Sequence, residues 1–301
     1  GIRDVLGSRG LGDVYRRQNI DYYIPTRYDE GYGVSRRCVD MAAAQGVKLI
    51  IVLDCGIKAN EEIAYAKTLG IDFIICDHHV PDDELPPAVA ILNPKLEGST
   101  YPCPHLSGCG VGFKFMQGFA QSNGIPTADL EGMLDLVAVS IAADIVPMVD
   151  ENRIMAYQGL RRLNGNPNMG LRAIIRICGL TNKEITISDV IFKIGPRINA
   201  SGRMQSGAEA VELLVSRDAA DAYEKGKAID QYNKDRKELD KQITEEANSI
   251  LEQHGSILTD RKSIVIYNKD WHKGIIGIVA SRLTELYYKP SVVLTLSLIH
   301  I

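Results

Sequence analysis

Residues 71–80 read IDFIICDHHV. Ile71, Phe73, Ile74, Ile75 and Cys76 make an apolar run that ends in Asp77-His78-His79. A run of this length, bounded by turn signals, predicts a strand buried on both faces, as in a parallel sheet. The triplet then falls just past the strand's carboxyl end, where open α/β sheets bind their ligands. Two readings stand side by side. The triplet is a set of metal-ligating or proton-moving groups at a favoured edge, or an Asx-type turn followed by two surface histidines.

The preceding residues weigh on that choice. Residues 47–54 (VKLIIVLD) repeat the buried-strand pattern and again end in an acid. Cys55-Gly56 supply a turn. Residues 58–69 (KANEEIAYAKTL) have helical spacing, with Ile63, Ala66 and Leu69 on one face and Gly70 as the stop. Strand, helix and strand form a βαβ unit with a right-handed crossover, and so predict an α/β fold built on a parallel sheet. Asp54 and Asp77 then share one edge on neighbouring strands. Carboxylates buried side by side repel and are costly without a cation. Carboxylate plus imidazole, with no thiolate required, suits Mn²⁺ or Mg²⁺.

At 301 residues the chain predicts two domains. Its 45% hydrophobic and 24% charged residues are ordinary for a globular protein. A formal net charge of −4 carries no global nucleic-acid signal. Any such binding must rest on local basic groups or on metals. No stretch reads as a membrane span or a signal peptide. The six cysteines include no C-x-x-C pair, and a reducing cytoplasm is the simplest inference. Cys103, His105 and Cys109 lack the fourth ligand of a closed zinc site. Residues 1–18 show no clean helix or strand period. They and residues 296–301 read as non-native segments, so the natural protein is expected over about residues 19–295.

Residues 19–25 (NIDYYIP) predict a short strand, followed by a loop containing Arg27 and Tyr32. Ser35 is the N-cap of a helix over 36–45. Residues 88–92 predict another strand. The LSGCGVG run at 106–112 turns into a helix near Val111. A helix start of this kind can hold phosphate, but the spacing is not a Walker loop, and close backbone packing is the favoured reading. Residues 130–145 predict a helix ending at Asp144, a third candidate ligand or else a cap. Residues 153–163 and 170–178 read as scaffold helices. Residues 192–204 (FKIGPRINASGRM) predict a loop marked by Pro196, Asn199, Ser201 and Gly202, with Arg197 and Arg203 six apart. Paired arginines, backbone donors and a small hydroxyl suit phosphate capture, though a plain polar loop looks similar. Residues 218–253 predict a charged linker helix broken once, whose Lys234, Arg236, Lys237 and Lys241 are balanced by nearby acids. A strand at 263–267, a helix at 275–286 and a strand at 291–294 open a second α/β unit too short for a core of its own. Trp271, the single tryptophan, and His272 stand at its entry. Trp271 makes a nucleotide or phosphate contact there, or packs in the core.

In chain order, LDCGI at 53–57, DHH at 77–79, ADIVP at 143–147, RINASGR at 197–203 and WHKGIIGIVASR at 271–282 resemble the DHH phosphoesterase superfamily. Within it they resemble the RecJ-type exonucleases with their DHHA1 domain. The resemblance implies a DHH domain over 19–217, a linker helix over 218–255 and a partial DHHA1 domain over 256–295. It implies metal-dependent phosphodiester hydrolysis, running 5′→3′ on single-stranded DNA in repair and recombination. Two Mn²⁺ or Mg²⁺ ions are implied, with Asp54 bridging them and His78 and Asp144 as terminal ligands. His79 would sit near the phosphate or leaving oxygen, and Asp77 would orient the ligands. Arg197, Asn199, Ser201, Gly202 and Arg203 would hold the DNA backbone or its 5′ phosphate, with Trp271 and His272 contributing from the DHHA1 side. Single-stranded DNA is the implied partner, alongside a single-strand-binding protein or a helicase. The family's D-x-D-x-D-G motif, expected before residue 19, has no match, since Asp13 does not fit it, and impaired activity is expected of the chain as it stands. Two alternatives remain at this level: a DHH enzyme of small nucleotides or short RNA, whose G-G-G-H-type run is not seen here, and a single-strand-binding module that does not cut.

Overall fold

A computed structural model of the chain describes residues 20–26, 30–253, 255 and 260–296. Residues 1–18, most of the carboxyl-terminal hexapeptide and Arg27 lie outside them.

The amino-terminal half follows the predicted βαβ logic. Helix α1 (Arg36–Ala44) starts at Ser35, whose Oγ accepts from the Cys38 N–H at 3.1 Å. Strand β1 (Leu49–Leu53), helix α2 (Asn60–Thr68), strand β2 (Asp72–Cys76) and strand β3 (Ala90–Leu92) come next. All pairing is parallel in the order β1-β2-β3, with Leu53 opposite Cys76 and Cys76 opposite Leu92. This register aligns the carboxyl ends of β1 and β2, which is what sets Asp54 beside the DHH triplet. The strand expected at 19–25 is not formed over residues 20–26. Its polar groups bond Glu30 instead of a neighbouring strand: Tyr23 Oη donates at 2.6 Å and the Thr26 N–H at 3.1 Å.

Helices then cover the sheet. Helix α3 (Gly108–Ser122) begins at Ser107, whose Oγ caps the Gly110 N–H. The long helix expected over 130–145 divides in two. Residues Thr127–Met133, with weak helix formers Asp and Gly among them, wind as a 3₁₀ helix, and α4 (Leu134–Ala143) follows. Helix α5 (Asp150–Gly165) completes this layer through Met155 and Ala156, and α6 (Met169–Ile177) follows it into a separate core. Cys76, Leu106, Val111, Phe113, Val137 and Ile141 form the core between sheet and helices.

The loop expected over 192–204 is helix instead. A turn at Ile187–Asp189, closed by a Thr186/Asp189 capping box, leads into a π-helix (Val190–Ile194) and then α7 (Gly195–Met204). Pro196 lies in the first turn of α7, where a missing N–H costs nothing. The Ser201 hydroxyl donates back to the Ile198 carbonyl at 2.9 Å. Turn-forming residue types mislead here because packing outweighs a propensity difference of under about 1 kcal/mol per residue.

Helix α8 (Gly207–Val215) precedes α9 (Ala219–Gln253), which is continuous for 35 residues and not broken as expected. Near its start, Ala222 and Ile229 join a core with Leu171, Ile174, Val190 and Ile194. Near its end, Ile243, Ala247 and Leu251 join the core of the last segment, made of β4 (Ile264–Tyr267), α10 (Ile276–Tyr287) and β5 (Ser291–Leu294). Strands β4 and β5 pair in parallel. A segment too short for its own core thus borrows one wall from the linker helix. Among the described residues no helix is long and apolar enough to cross a membrane.

Candidate metal centre

Asp54 follows the last residue of β1, and its N–H donates to the Cys76 carbonyl at 2.9 Å, extending the ladder by one bond. Its φ of 64° is left-handed. Such a conformation in a non-glycine residue is held by its surroundings and is enriched at functional sites. His78 follows β2 and is buried. Its Nδ1–H donates to the Leu106 carbonyl at 3.0 Å, which leaves Nε2 as the outward-facing nitrogen. Nε2 lies 3.2 Å from Asp54 Oδ1 and 3.2 Å from Asp144 Oδ2. Asp144 is the residue that ends α4. The three elements predicted to carry ligands therefore meet at one nitrogen.

Asp77 is wholly buried and accepts four hydrogen bonds. Oδ2 takes the Ile57 N–H at 3.1 Å; Oδ1 takes the N–H groups of His78 and His79 and His79 Nδ1, the last at 2.7 Å. Burial alone would raise its pKa, but the His79 ring and the N–H groups of Ile57, His79 and His78 together hold it below the usual carboxylate range. Asp77 is thus a fixed anion that clamps the turn and orients His79, whose Nε2 remains available. Asn93 anchors the same turn through the His79 carbonyl at 2.8 Å. The pKa of His78 is raised, first by its hydrogen bond to Asp54 and against its own burial.

The donor set can take a cation. One ligand atom each from Asp54, His78 and His79 lie within 4.8 Å of one another, and Asp144 joins through its approach to His78 Nε2. Proximity alone would favour His79 over Asp144. The Asp77 bond fixes Nδ1 of His79 and leaves its Nε2 available, as the Leu106 bond does for His78, so both His79 and the exposed Asp144 carboxylate, 3.2 Å from His78 Nε2, can complete the set. Oxygen and imidazole donors without thiolate fit a hard or borderline divalent ion. Gly108 completes the cradle: a Cβ there would lie 1.9 Å from Asp54 Oδ1. Its packing role agrees with the reading of LSGCG as a close approach. That the approached group is the Asp54 carboxylate, and that the Leu106 carbonyl positions His78, had no signal in the sequence. A cavity of about 300 Å³ opens here, lined by His78, His79, Lys95, His105, Asp144 and Ile145.

The remaining candidates disperse. Arg197 Nε pairs with Asp230 at 2.7 Å, and the same guanidinium donates to the Lys193 carbonyl. Ser201 is buried in α7, bonded to its own helix, and Gly202 sits beside it in that helix. Asn199 and Arg203 line a second cavity, and Arg203 also reaches the Gly274 carbonyl at 3.5 Å. Trp271, expected as a substrate contact or a core residue, is core: it is buried and its Nε1–H donates to Glu246 at 2.7 Å. Packing decides this, because the large indole fills the gap between α9 and the last segment. His272 Nδ1 accepts from the Gly274 N–H, and burial, then Lys273, lowers its pKa.

Residues 4–141 match the model of the DHH family, N-terminal domain. The chain is 41% identical over 275 residues to the single-stranded-DNA-specific exonuclease RecJ of Bacillus subtilis, covering 91% of this chain and 34% of that protein. It is 36% identical over 297 residues to the protein of the same name from Escherichia coli, covering 95% and 51%. The chain thus spans between a third and about half of the curated relatives it matches. Among solved structures, an exonuclease RecJ bound to manganese superposes with a TM-score of 0.82 at 29% identity, over 98% of this chain and 72% of that one. RecJ from Thermus thermophilus in complex with Mn²⁺ gives 0.75 at 28% identity, over 86% and 38%.

Proposed function

We propose, from the premise that this chain belongs to the DHH family and stands with its RecJ-type members, that it is the metal-dependent hydrolytic part of a single-stranded-DNA exonuclease. The observation that carries this reading is the meeting of Asp54, His78 and Asp144 within 3.2 Å of one imidazole nitrogen. Mn²⁺ or Mg²⁺ held by these residues supplies Lewis acidity toward a phosphoryl oxygen and makes water more acidic there. Asp54 and Asp144 bring the negative charge, and the Leu106 carbonyl keeps His78 in the tautomer that offers Nε2. His79, with Nδ1–H committed to Asp77, presents Nε2 to the cavity and is placed to exchange a proton with the water or the leaving oxygen. Asp77 fixes the orientation of that ring through its 2.7 Å hydrogen bond. Arg203 and Asn199 hold the strand's phosphates, while Arg197 serves as a clamp between helices. Digestion from the 5′ end and action in repair and recombination belong to the same proposal, as do the cytoplasm as location and a single-strand-binding protein or helicase as partner.

The test is Mn²⁺-dependent release of mononucleotides from single-stranded DNA, with Mn²⁺ binding followed separately by calorimetry. Asp54→Ala and His78→Ala should each abolish both. Hydrolysis confined to dinucleotides would move the reading to the small-substrate branch. Strand binding with no hydrolysis in any metal would leave a binding module.

A further inference from the structure

A second cavity, of about 190 Å³, lies where α9 and α10 meet α4 and α7. Ile145, Asn199, Arg203, Arg236 and Ile278 line it. Ile145 also lines the cavity at the metal centre, so the two share that residue as a wall. Its φ of 54° is costly for a β-branched side chain. Conformations of this kind persist where the surroundings impose them, and here the strained residue stands between the two cavities.

Arg236 enters the second cavity from α9. Its Nε is buried and has no hydrogen-bond partner among the described residues, while another guanidinium nitrogen donates to Asn233 Oδ1 at 3.3 Å. Burial disfavours its charge. Arg203 and Arg282 act in the same direction, and Asp240 is the carboxylate that opposes them. Asp240 is itself engaged by Arg282 at 2.8 Å. Asp240 keeps its other oxygen buried and without a hydrogen-bond partner among the described residues, and it does not line the cavity. Two guanidinium groups, Arg203 and Arg236, and no carboxylate line the cavity, which makes it a place short of an anion. The forked, planar guanidinium matches phosphate geometry.

We propose that Arg236 is a substrate-binding residue which, with Arg203 and Asn199, holds a phosphate of the nucleic-acid strand next along from the one at the metal centre. The inference rests on the nuclease reading and deepens it. Along the sequence Arg236 is masked by Asp235, Glu238 and Asp240; only the fold turns it from a solvated helix face toward Arg203. The phosphate is either an internal diester or the terminal monoester.

Anisotropy titrations of oligothymidylate, with a 5′ phosphate or a 5′ hydroxyl, without divalent metal and across a salt series, decide it. In Arg236→Gln, affinity should fall about tenfold, and the salt dependence of log K should flatten by about 0.7, the share of one phosphate contact on a single strand. Lys237→Gln, which removes the same charge from an exposed neighbour, should change neither. A loss confined to the phosphorylated strand assigns the terminal monoester; a loss on both assigns a diester. Arg236→Lys covers a Gln variant that does not fold: it keeps the charge and loses the fork, so wild-type affinity in it overturns the assignment. Unaltered binding by Arg236→Gln, or an equal loss in Lys237→Gln, overturns the inference and leaves the nuclease reading standing. A wild-type chain that binds neither strand removes both.

Discussion

A methyl group on residue 108 would occupy the place of the Asp54 carboxylate, 1.9 Å from Oδ1. Gly108→Ala should therefore act as a metal-site variant, although alanine favours the helix by about 1 kcal/mol. Mn²⁺ affinity should drop by about 10–100-fold, the range seen when groups supporting a metal's ligands are lost. Calorimetry with a parallel melting curve checks that affinity and not folding is lost. The pH response at this site has a definite sign. His78 has a raised pKa in the fold, so in the metal-free chain its contribution is fully present below the ordinary histidine value of about 6.5 and disappears as pH rises through the raised value. Metal binding needs the unprotonated Nε2 and strengthens across the same window. Melting temperatures in EDTA should fall over that interval while the increment added by Mn²⁺ grows. An increment independent of pH would remove His78 from the site. Asp77 has the opposite sign: its depressed pKa gives stability that is present above the ordinary carboxylate range and lost as pH falls through the lowered value.

At the scale of elements, two contacts join helices whose sequences do not announce it. Arg197 on α7 pairs with Asp230 on α9, both largely buried, and Lys234 pairs with the other Asp230 oxygen at 2.9 Å. Arg197→Ala leaves that acid half-compensated. A loss of about 2–3 kcal/mol in chemical denaturation is expected, with the salt dependence of strand binding unchanged. A flattened slope would instead make Arg197 a phosphate contact. Helices α4 and α5 approach so closely that a Cβ on Gly159 would lie 2.1 Å from the Leu134 carbonyl oxygen. Backbone cannot swing aside as a side chain can. Overpacking by Gly159→Ala, worth about 1–3 kcal/mol or more, exceeds the gain of about 1 kcal/mol in helix propensity. The variant should melt at a lower temperature.

For the whole molecule, α9 is the shared wall. Its first half closes the core with α6 and the π-helix, and its second half closes the core with β4, α10 and β5. Trp271 reports on the second half through its bond to Glu246. Because one continuous helix serves both cores, thermal unfolding followed by tryptophan fluorescence should coincide with unfolding followed by far-ultraviolet circular dichroism. Separated transitions would show that the last segment melts on its own.

The residues alone determined the parallel βαβ unit, the edge where chemistry collects, and Asp54, His78 and Asp144 as the candidates for it. Those follow from local patterns: buried-strand runs, a helical period, and acids or imidazoles placed just past strand and helix ends. What only the tertiary structure decided involves groups distant in the chain or turned by packing. Residues 192–204 look like a loop because proline, glycine, asparagine and serine are read by local propensity, yet α9 packs them into helix. Trp271 was equally suited to substrate or core until the second half of α9 enclosed it. Gly108 against Asp54, the Leu106 carbonyl on His78 and the turning of Arg236 toward Arg203 all depend on which surfaces meet. Long-range packing sets those contacts, and no spacing along the chain encodes them directly.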